Sequence, residues 1–508
     1  MNNNTMHLES VIVWVAYLIL MVLIGSWTSK KIKTTEDYTV GGRKIGAILV
    51  ALSHGAGAMS GFMFMGLPGY AYMLGLFAFW YEAGDAGGGY INFTILGRRL
   101  NALSHHLKAL TPIDLIYKRF YDPSSKTSKY IPLTGGIIGL IFTWLYLLAQ
   151  IIAAGKVTQV LLGIPYYYGV IVGGLVVLMY VMAGGLEACM YTDAVQAIIM
   201  FFGAVIAIVV GFKLVGGFYQ LTDKLMQIDP TFFSIWGKNL QFKGQYGEII
   251  GALLIYMIGY MGLPHINAFS MSAKNTRVIE NAALINPIWS SILAYSCVFI
   301  GLFGILLFPD ISDPELVAPT FFYTFTNPWI AGLMMSSVYC AIMSTADILT
   351  LTSATLLVND IYIHYFKPNT TEKKRLFLNR IATFILGFVA IAVALIPDLS
   401  VFAVVISAFG VLASSFLFVN LASVYWKGAT PTGAISSMIG GAVINTCWEL
   451  VGFRDITHIH PFFAGIITSG LLLFSVSLFT KKLPKEKQEL VNICRRLTNK
   501  SEQTSLHY

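Results

Sequence analysis

Between Val11 and Thr480 the chain repeatedly runs through about twenty apolar residues, divided by short clusters of Gly, Pro and charge. Each stretch is long enough to cross a hydrocarbon core of roughly 30 Å as a helix. The pattern predicts thirteen spans, near residues 10–28, 46–72, 75–97, 131–155, 163–185, 190–212, 246–272, 284–308, 328–358, 376–396, 399–425, 430–452 and 461–480. Turn signals such as Gly163-Ile164-Pro165 and Pro397-Asp398 mark the boundaries. No Lys or Arg precedes the first span, which reads as a retained helix rather than a signal peptide.

Composition agrees with this pattern. Of 508 residues 56% are hydrophobic and only 11% charged, against roughly 25% charged in average soluble domains. That excludes a secreted, cytosolic or disordered protein and makes the chain an all-α polytopic membrane protein. Residues 1–480 read as one transmembrane domain and 481–508 as a basic cytoplasmic tail, with no soluble domain attached. Residues 216–245 read as a short amphipathic external segment. Five scattered cysteines have neither disulfide nor metal-ligand spacing.

The net charge of +8 is a statement about topology. With the N-terminus outside, 27 of the 33 Lys and Arg fall on the inner loops and tail. Such a bias sets orientation and attracts anionic inner-leaflet lipids. It gives no nucleic-acid signal. The C-terminus is then cytoplasmic, and no obligate protein partner is evident.

Glycine and proline interrupt two spans in mid-membrane. The second reads Ser53-His54-Gly55-Ala56-Gly57-Ala58-Met59-Ser60-Gly61 and then Gly66-Leu67-Pro68-Gly69. Five spans later the seventh reads Gly259-Tyr260-Met261-Gly262-Leu263-Pro264-His265. Unwound backbone at that depth survives only where it is buried in protein or lines a cavity. Matched breaks in successive five-helix units point to an inverted-repeat transporter with its ligands at the breaks. The ninth span adds Ala341, Ser344, Thr345, Thr352 and Ser353. Two hydroxyls facing freed carbonyls would hold a sodium ion without a carboxylate, although such residues often bond back to their own helix.

These segments carry a resemblance. Asp37-Tyr38-Thr39-Val40-Gly41-Gly42-Arg43, Met59-Ser60-Gly61, Met65-Gly66-Leu67-Pro68-Gly69 and Tyr191-Thr192-Asp193-Ala194-Val195-Gln196 resemble the sodium/solute symporter family. Gly259-Tyr260, Gly262, Pro264-His265, Asn327-Pro328-Trp329-Ile330-Ala331-Gly332 and Met343-Ser344-Thr345 continue it in order, nearest to the family's bacterial proline carriers. The resemblance implies a LeuT-like five-plus-five inverted repeat of spans 2–6 and 7–11, working by alternating access. It implies a co-transported sodium ion held by carbonyls of Ala56, Met59 and Ala341 and hydroxyls of Ser344 and Thr345. A solute pocket of Met59, Tyr146, Tyr256, Tyr260 and Pro264 follows by the same carry-over, as does an ion-pathway role for Asp193. Read from its position alone, Asp193 would cap the sixth span.

The chain also departs from the pattern. Ala58 stands where the proline carriers have an aspartate, and Phe269 where they have an arginine. Glu82 and Asp85 lie in the third span, Asp347 just beyond the Ser-Thr pair, and His54 in the second span. A carboxylate in a spanning helix costs roughly 2.5–3.5 kcal/mol on insertion scales. Glu82 and Asp85 share a helix face, as do Ser344 and Asp347, and two carboxylates that close do not both ionise easily. They suit a proton carrier or a receptor for a cationic solute. A protonated acid bonded inside the bundle, and an interior histidine at His54, are the plainer readings.

The sequence therefore points to a secondary active transporter: sodium-coupled symport of a small organic solute, with an amino acid favoured, in a bacterial inner membrane. A proton-coupled or cationic-solute carrier using Glu82, Asp85 or Asp347 is one alternative, and a transporter-like solute sensor another. An enzyme is not expected, because no nucleophile–base pair appears.

Overall fold

The computed structural model describes residues 8–163, 165–240, 242–244, 246–396 and 401–499. The boundary at Pro397-Asp398 and tail residues 500–508 lie outside them. Among the described residues the chain is helical, with extended backbone paired only in a bridge between Ile45 and Ala273. Nine helices there are long and apolar enough to span a membrane, and Ala47–Ala58 and Tyr246–Met257 are shorter apolar ones.

One of the long elements turns at a glycine. The fifty-residue helix Tyr166–Val215 would extend about 75 Å at 1.5 Å per residue, far more than one bilayer. It turns at Gly185, whose φ of 53° suits glycine. A Cβ there would also lie 2.5 Å from the Tyr38 carbonyl oxygen. The expected spans 163–185 and 190–212 are therefore its two arms. This overturns Asp193 as a helix cap: the second arm is helical from Leu186, so Asp193 lies two turns inside it, fully buried.

Both predicted breaks are present. Ala47–Ala58 stops at Met59 (φ −84°, ψ 76°), and the chain resumes through a π-helical turn, Phe62–Gly66, into Leu67–Leu74. Tyr246–Met257 stops before the 3₁₀ turn Gly259–Gly262. Leu263 is extended, and Pro264 opens Pro264–Ser272 at a position where its missing N–H costs nothing.

The two broken helices run in opposite directions. Ile45, just before the first, donates its N–H to Ser272 O at 3.2 Å, and Lys274 N, just after the second, donates to Ile45 O at 3.0 Å. The start of one and the end of the other thus share one end of the bundle, as an inverted repeat requires. Pro328–Thr355 forms the centre and is buried continuously from Met334 to Thr355. Its hydroxyl stripe therefore faces protein, not lipid.

The segment after Gly216 forms the helix Phe218–Ile228, with Leu221 and Leu225 buried and Tyr219 exposed. The tail forms a docked helix, Lys485–Thr498. Its Cys494 thiol donates to Arg99 O at 3.3 Å, and Arg98 Nη2 donates to Thr498 O at 2.8 Å.

Candidate functional site

The first break delivers carbonyls to the central helix. Ser344 Oγ donates to Ala56 O at 2.9 Å and lies 3.3 Å from Ala341 O. Thr345 Oγ1 lies 3.1 Å from Gly57 O and 3.5 Å from Ala56 O. Four of the five anticipated oxygens, those of Ala56, Ala341, Ser344 and Thr345, therefore converge, with Gly57 O as an unforeseen fifth. Met59 is buried at the break itself. This cluster is built of hydroxyl and carbonyl oxygens without a carboxylate, the type of ligand a hard cation takes. Among the described residues no group of three or more His, Cys, Asp or Glu could hold a metal.

Side-chain amides satisfy the backbone that the breaks set free. Gly61 N donates to Gln150 Oε1 at 2.8 Å. At the second break, Met261 O accepts from Asn267 Nδ2 at 3.0 Å and from Asn420 Nδ2 at 2.8 Å. Buried backbone left unpaired costs roughly 1–3 kcal/mol per group, so these three residues hold the unwound segments in place. Sequence reasoning missed them, because one amide in an apolar helix carries no spacing signal.

Of the anticipated solute residues, Tyr146, Tyr256, Tyr260 and Pro264 lie beside the second break, while Met59 ends the first. Tyr146, Tyr256, Tyr260, Met59 and Pro264 are all buried. The Tyr256 and Tyr260 rings lie 6.0 Å apart, and each faces Phe409, at 5.0 and 5.6 Å. Phe62, one turn beyond the first break, lies 5.7 Å from Tyr256. Tyr256 thus faces the first broken helix through Phe62. Tyr146 stands 5.8 Å from His265, next to Pro264.

The membrane-embedded acids separate into two pairs. Glu82 and Asp85 lie on Phe79–Ile91, and the Tyr260 hydroxyl donates to Asp85 Oδ1. Asp347 instead turns away from the sodium candidates. It accepts from Tyr180 at 3.0 Å and Thr192 at 3.4 Å, and interacts electrostatically with Asp193. Its counterpart is thus on the kinked helix, although its own helix places it one turn from Ser344. His54 is linked through Nε2 to Asn92 Nδ2 at 3.1 Å, and its ring lies 5.6 Å from Tyr260. Phe269 packs on the first break, where a Cβ at Gly57 would meet its ring at 3.0 Å. No Lys or Arg of the described residues forms an ion pair with Glu82, Asp85, Asp193 or Asp347.

Paired antiparallel breaks, with oxygens at one and aromatic and acidic groups at the other, define a LeuT-like secondary transporter. The comparisons agree. The family model described as sodium:solute symporter family matches residues 38–441. The osmoregulated proline transporter OpuE of Bacillus subtilis is 30% identical over 497 residues, covering 97% of this chain and 99% of that protein. A sodium/proline symporter of Staphylococcus aureus is 29% identical, covering 93% of each. A Na+-coupled sialic acid symporter solved in a substrate-bound outward-open state shares the fold, with a TM-score of 0.75 at 17% identity over 94% of this chain and 99% of that one. The nucleobase-cation-symport-1 transporter Mhp1, closed with bromovinylhydantoin bound, aligns with a TM-score of 0.53 at 13% identity, over 90% of this chain and 98% of that one. The chain belongs to the sodium:solute symporter family. It is a multi-pass membrane transporter rather than an enzyme, and sodium and a small solute are what this family moves together.

Proposed function

We propose that this protein couples inward movement of sodium to uptake of an amino acid, by alternating access across a bacterial inner membrane, with its N-terminus outside and C-terminus inside. The carrying observation is the approach of Ser344 and Thr345 to the Ala56 and Gly57 carbonyls, which ties the central helix to the first break. Sodium takes the carbonyls of Ala56, Met59 and Ala341 and the hydroxyls of Ser344 and Thr345. Solute binds among Met59, Tyr146, Tyr256, Tyr260 and Pro264, and Asp193 serves the ion's route. Sodium at the junction stabilises one arrangement of the first break, and solute completes it, so each raises the other's affinity by the same factor. Likeness to two proline carriers supports an amino acid as the solute. The test is uptake of labelled proline and other amino acids into proteoliposomes, with and without an inward sodium gradient. Accumulation that ignores sodium rejects the reading.

A proton-coupled carrier is the second reading. It is favoured by the buried carboxylates of Glu82, Asp85 and Asp347, none of which forms an ion pair with a Lys or Arg of the described residues. Steep pH dependence at fixed sodium, lost in Glu82→Gln or Asp347→Asn, would support it.

A further inference from the structure

We propose that Glu82 and Asp85 form a cation-recognising wall of the solute site, and that the transported solute bears a net positive charge as an amine with several N–H donors. This inference rests on the reading of the chain as a sodium-coupled symporter.

Two glycines bring the acidic helix against the second broken helix. A Cβ at Gly84 would lie 2.1 Å from Leu253 O, and one at Gly88 2.3 Å from Tyr256 O. Backbone contact at both points holds Asp85, between them in sequence, against Tyr260, which donates to its Oδ1. Asp85 Oδ2 and both Glu82 carboxylate oxygens are buried without a hydrogen-bond partner. Glu82 is fully inaccessible. The Tyr256 hydroxyl is also buried and unpartnered, and the carboxylates it interacts with electrostatically are Glu82 and Asp85. Tyr256 and Tyr260 are both among the anticipated solute residues, so the acid pair adjoins the anticipated solute position.

Three unpartnered carboxylate oxygens beside one tyrosine hydroxyl call for a ligand that only donates. A protonated amine has up to three N–H donors and one positive charge, and hydrogen bonds between ions are roughly twice as strong as neutral ones. A quaternary amine lacks the donors, and a neutral polyol lacks the charge. A buried charge left unpaired is costly, so the pair discriminates most strongly against solutes that leave it unfilled.

The test uses purified full-length protein in liposomes under a sodium gradient, with labelled lysine, putrescine, proline, glycine betaine and sorbitol as probes. Thermal stabilisation by sodium and by each probe is measured in parallel. Lysine or putrescine should accumulate and stabilise the protein in sodium, with betaine and sorbitol inert. Glu82→Gln and Asp85→Asn should each raise the cation's half-saturation at least tenfold, with Tyr256→Phe raising it less. Sodium stabilisation without solute should shift less than twofold in concentration. Accumulation of proline or sorbitol without competition from the amines would overturn the inference and leave the symporter reading standing. So would a sodium shift in Glu82→Gln without a solute shift, which would make the pair an ion site. Failure of sodium to stabilise the wild-type protein would overturn the symporter reading and this inference with it.

Discussion

Ser344 donates its hydroxyl to the Ala56 carbonyl across 2.9 Å, joining helices whose residues lie 288 positions apart. The bond exists because the first broken helix stops at Met59, so its last carbonyls are not all used within it. A sodium ion would replace that hydrogen bond with coordination by both oxygens. Ser344→Ala with Thr345→Ala removes two hydroxyls, each worth roughly 0.5–1.5 kcal/mol. The double variant should need at least tenfold more sodium for half-maximal uptake. Titrating uptake with sodium at fixed solute checks this, and an unchanged midpoint rejects the assigned site.

Gln150 offers a separate handle on the break. Gln150→Leu leaves the buried Gly61 N–H without its acceptor, at a cost of roughly 1–3 kcal/mol. The variant should lower the melting temperature in detergent and raise the solute KM. Gln150→Glu keeps an acceptor and should retain most of the KM effect's missing affinity. Equal losses in both variants would show that the acceptor oxygen at Gln150 is not what holds the break.

How much of this was legible in the sequence follows from what leaves a local mark. Gly and Pro in mid-span marked both breaks within a few residues, because unwinding needs those residue types at that place. The Ser344-Thr345 pair stood out only through the family resemblance, because its helix carries eight Ser and Thr in 28 residues and such hydroxyls often bond back to their own helix. What joins distant helices was not legible. Asp347 shares a helix face with Ser344 by spacing, yet it accepts from Tyr180 and Thr192 on the kinked helix and interacts with Asp193. Gln150, Asn267 and Asn420 went unmarked because each is a single amide whose meaning depends on a partner elsewhere. Asp193 resembled a cap only while the sixth span was taken to begin near residue 190. A lone glycine turn at Gly185 moved that start back.

Close helix packing makes Gly84 a sensitive position. Gly84→Ala would put a Cβ 2.1 Å from Leu253 O, which is backbone and has little room to shift. Overpacking of this kind costs roughly 1–3 kcal/mol. The variant should fold less stably and lose most uptake, whereas Gly87→Ala, whose Cβ has only Ile91 Cδ1 at 4.0 Å, should behave as wild type. Melting temperature and initial uptake rate of the two variants, measured together, check the contrast.

His460 gives a pH dependence of stability. It caps the helix Pro461–Phe479 by accepting from Phe462 N at 3.2 Å through Nδ1, which requires that nitrogen to be unprotonated. Burial first, then the charge of Arg454, holds its pKa down at about 3 from the usual 6.5. The unfolded chain therefore binds a proton below pH 6.5 while the folded protein does not. Stability must fall as pH drops from 6.5 toward 3, and this contribution is flat above 6.5. His460→Asn keeps a capping oxygen without a titrating ring, so its melting temperature should decline less over that window. Parallel decline in both proteins would assign the slope elsewhere.

The most direct test of the central claim is accumulation of labelled solute in proteoliposomes, driven separately by an inward sodium gradient and by an inward proton gradient. Uphill accumulation should occur with sodium alone, and in the Ser344→Ala, Thr345→Ala protein it should require at least tenfold more sodium. Accumulation driven by protons in the absence of sodium would contradict it and move the coupling role to the embedded carboxylates.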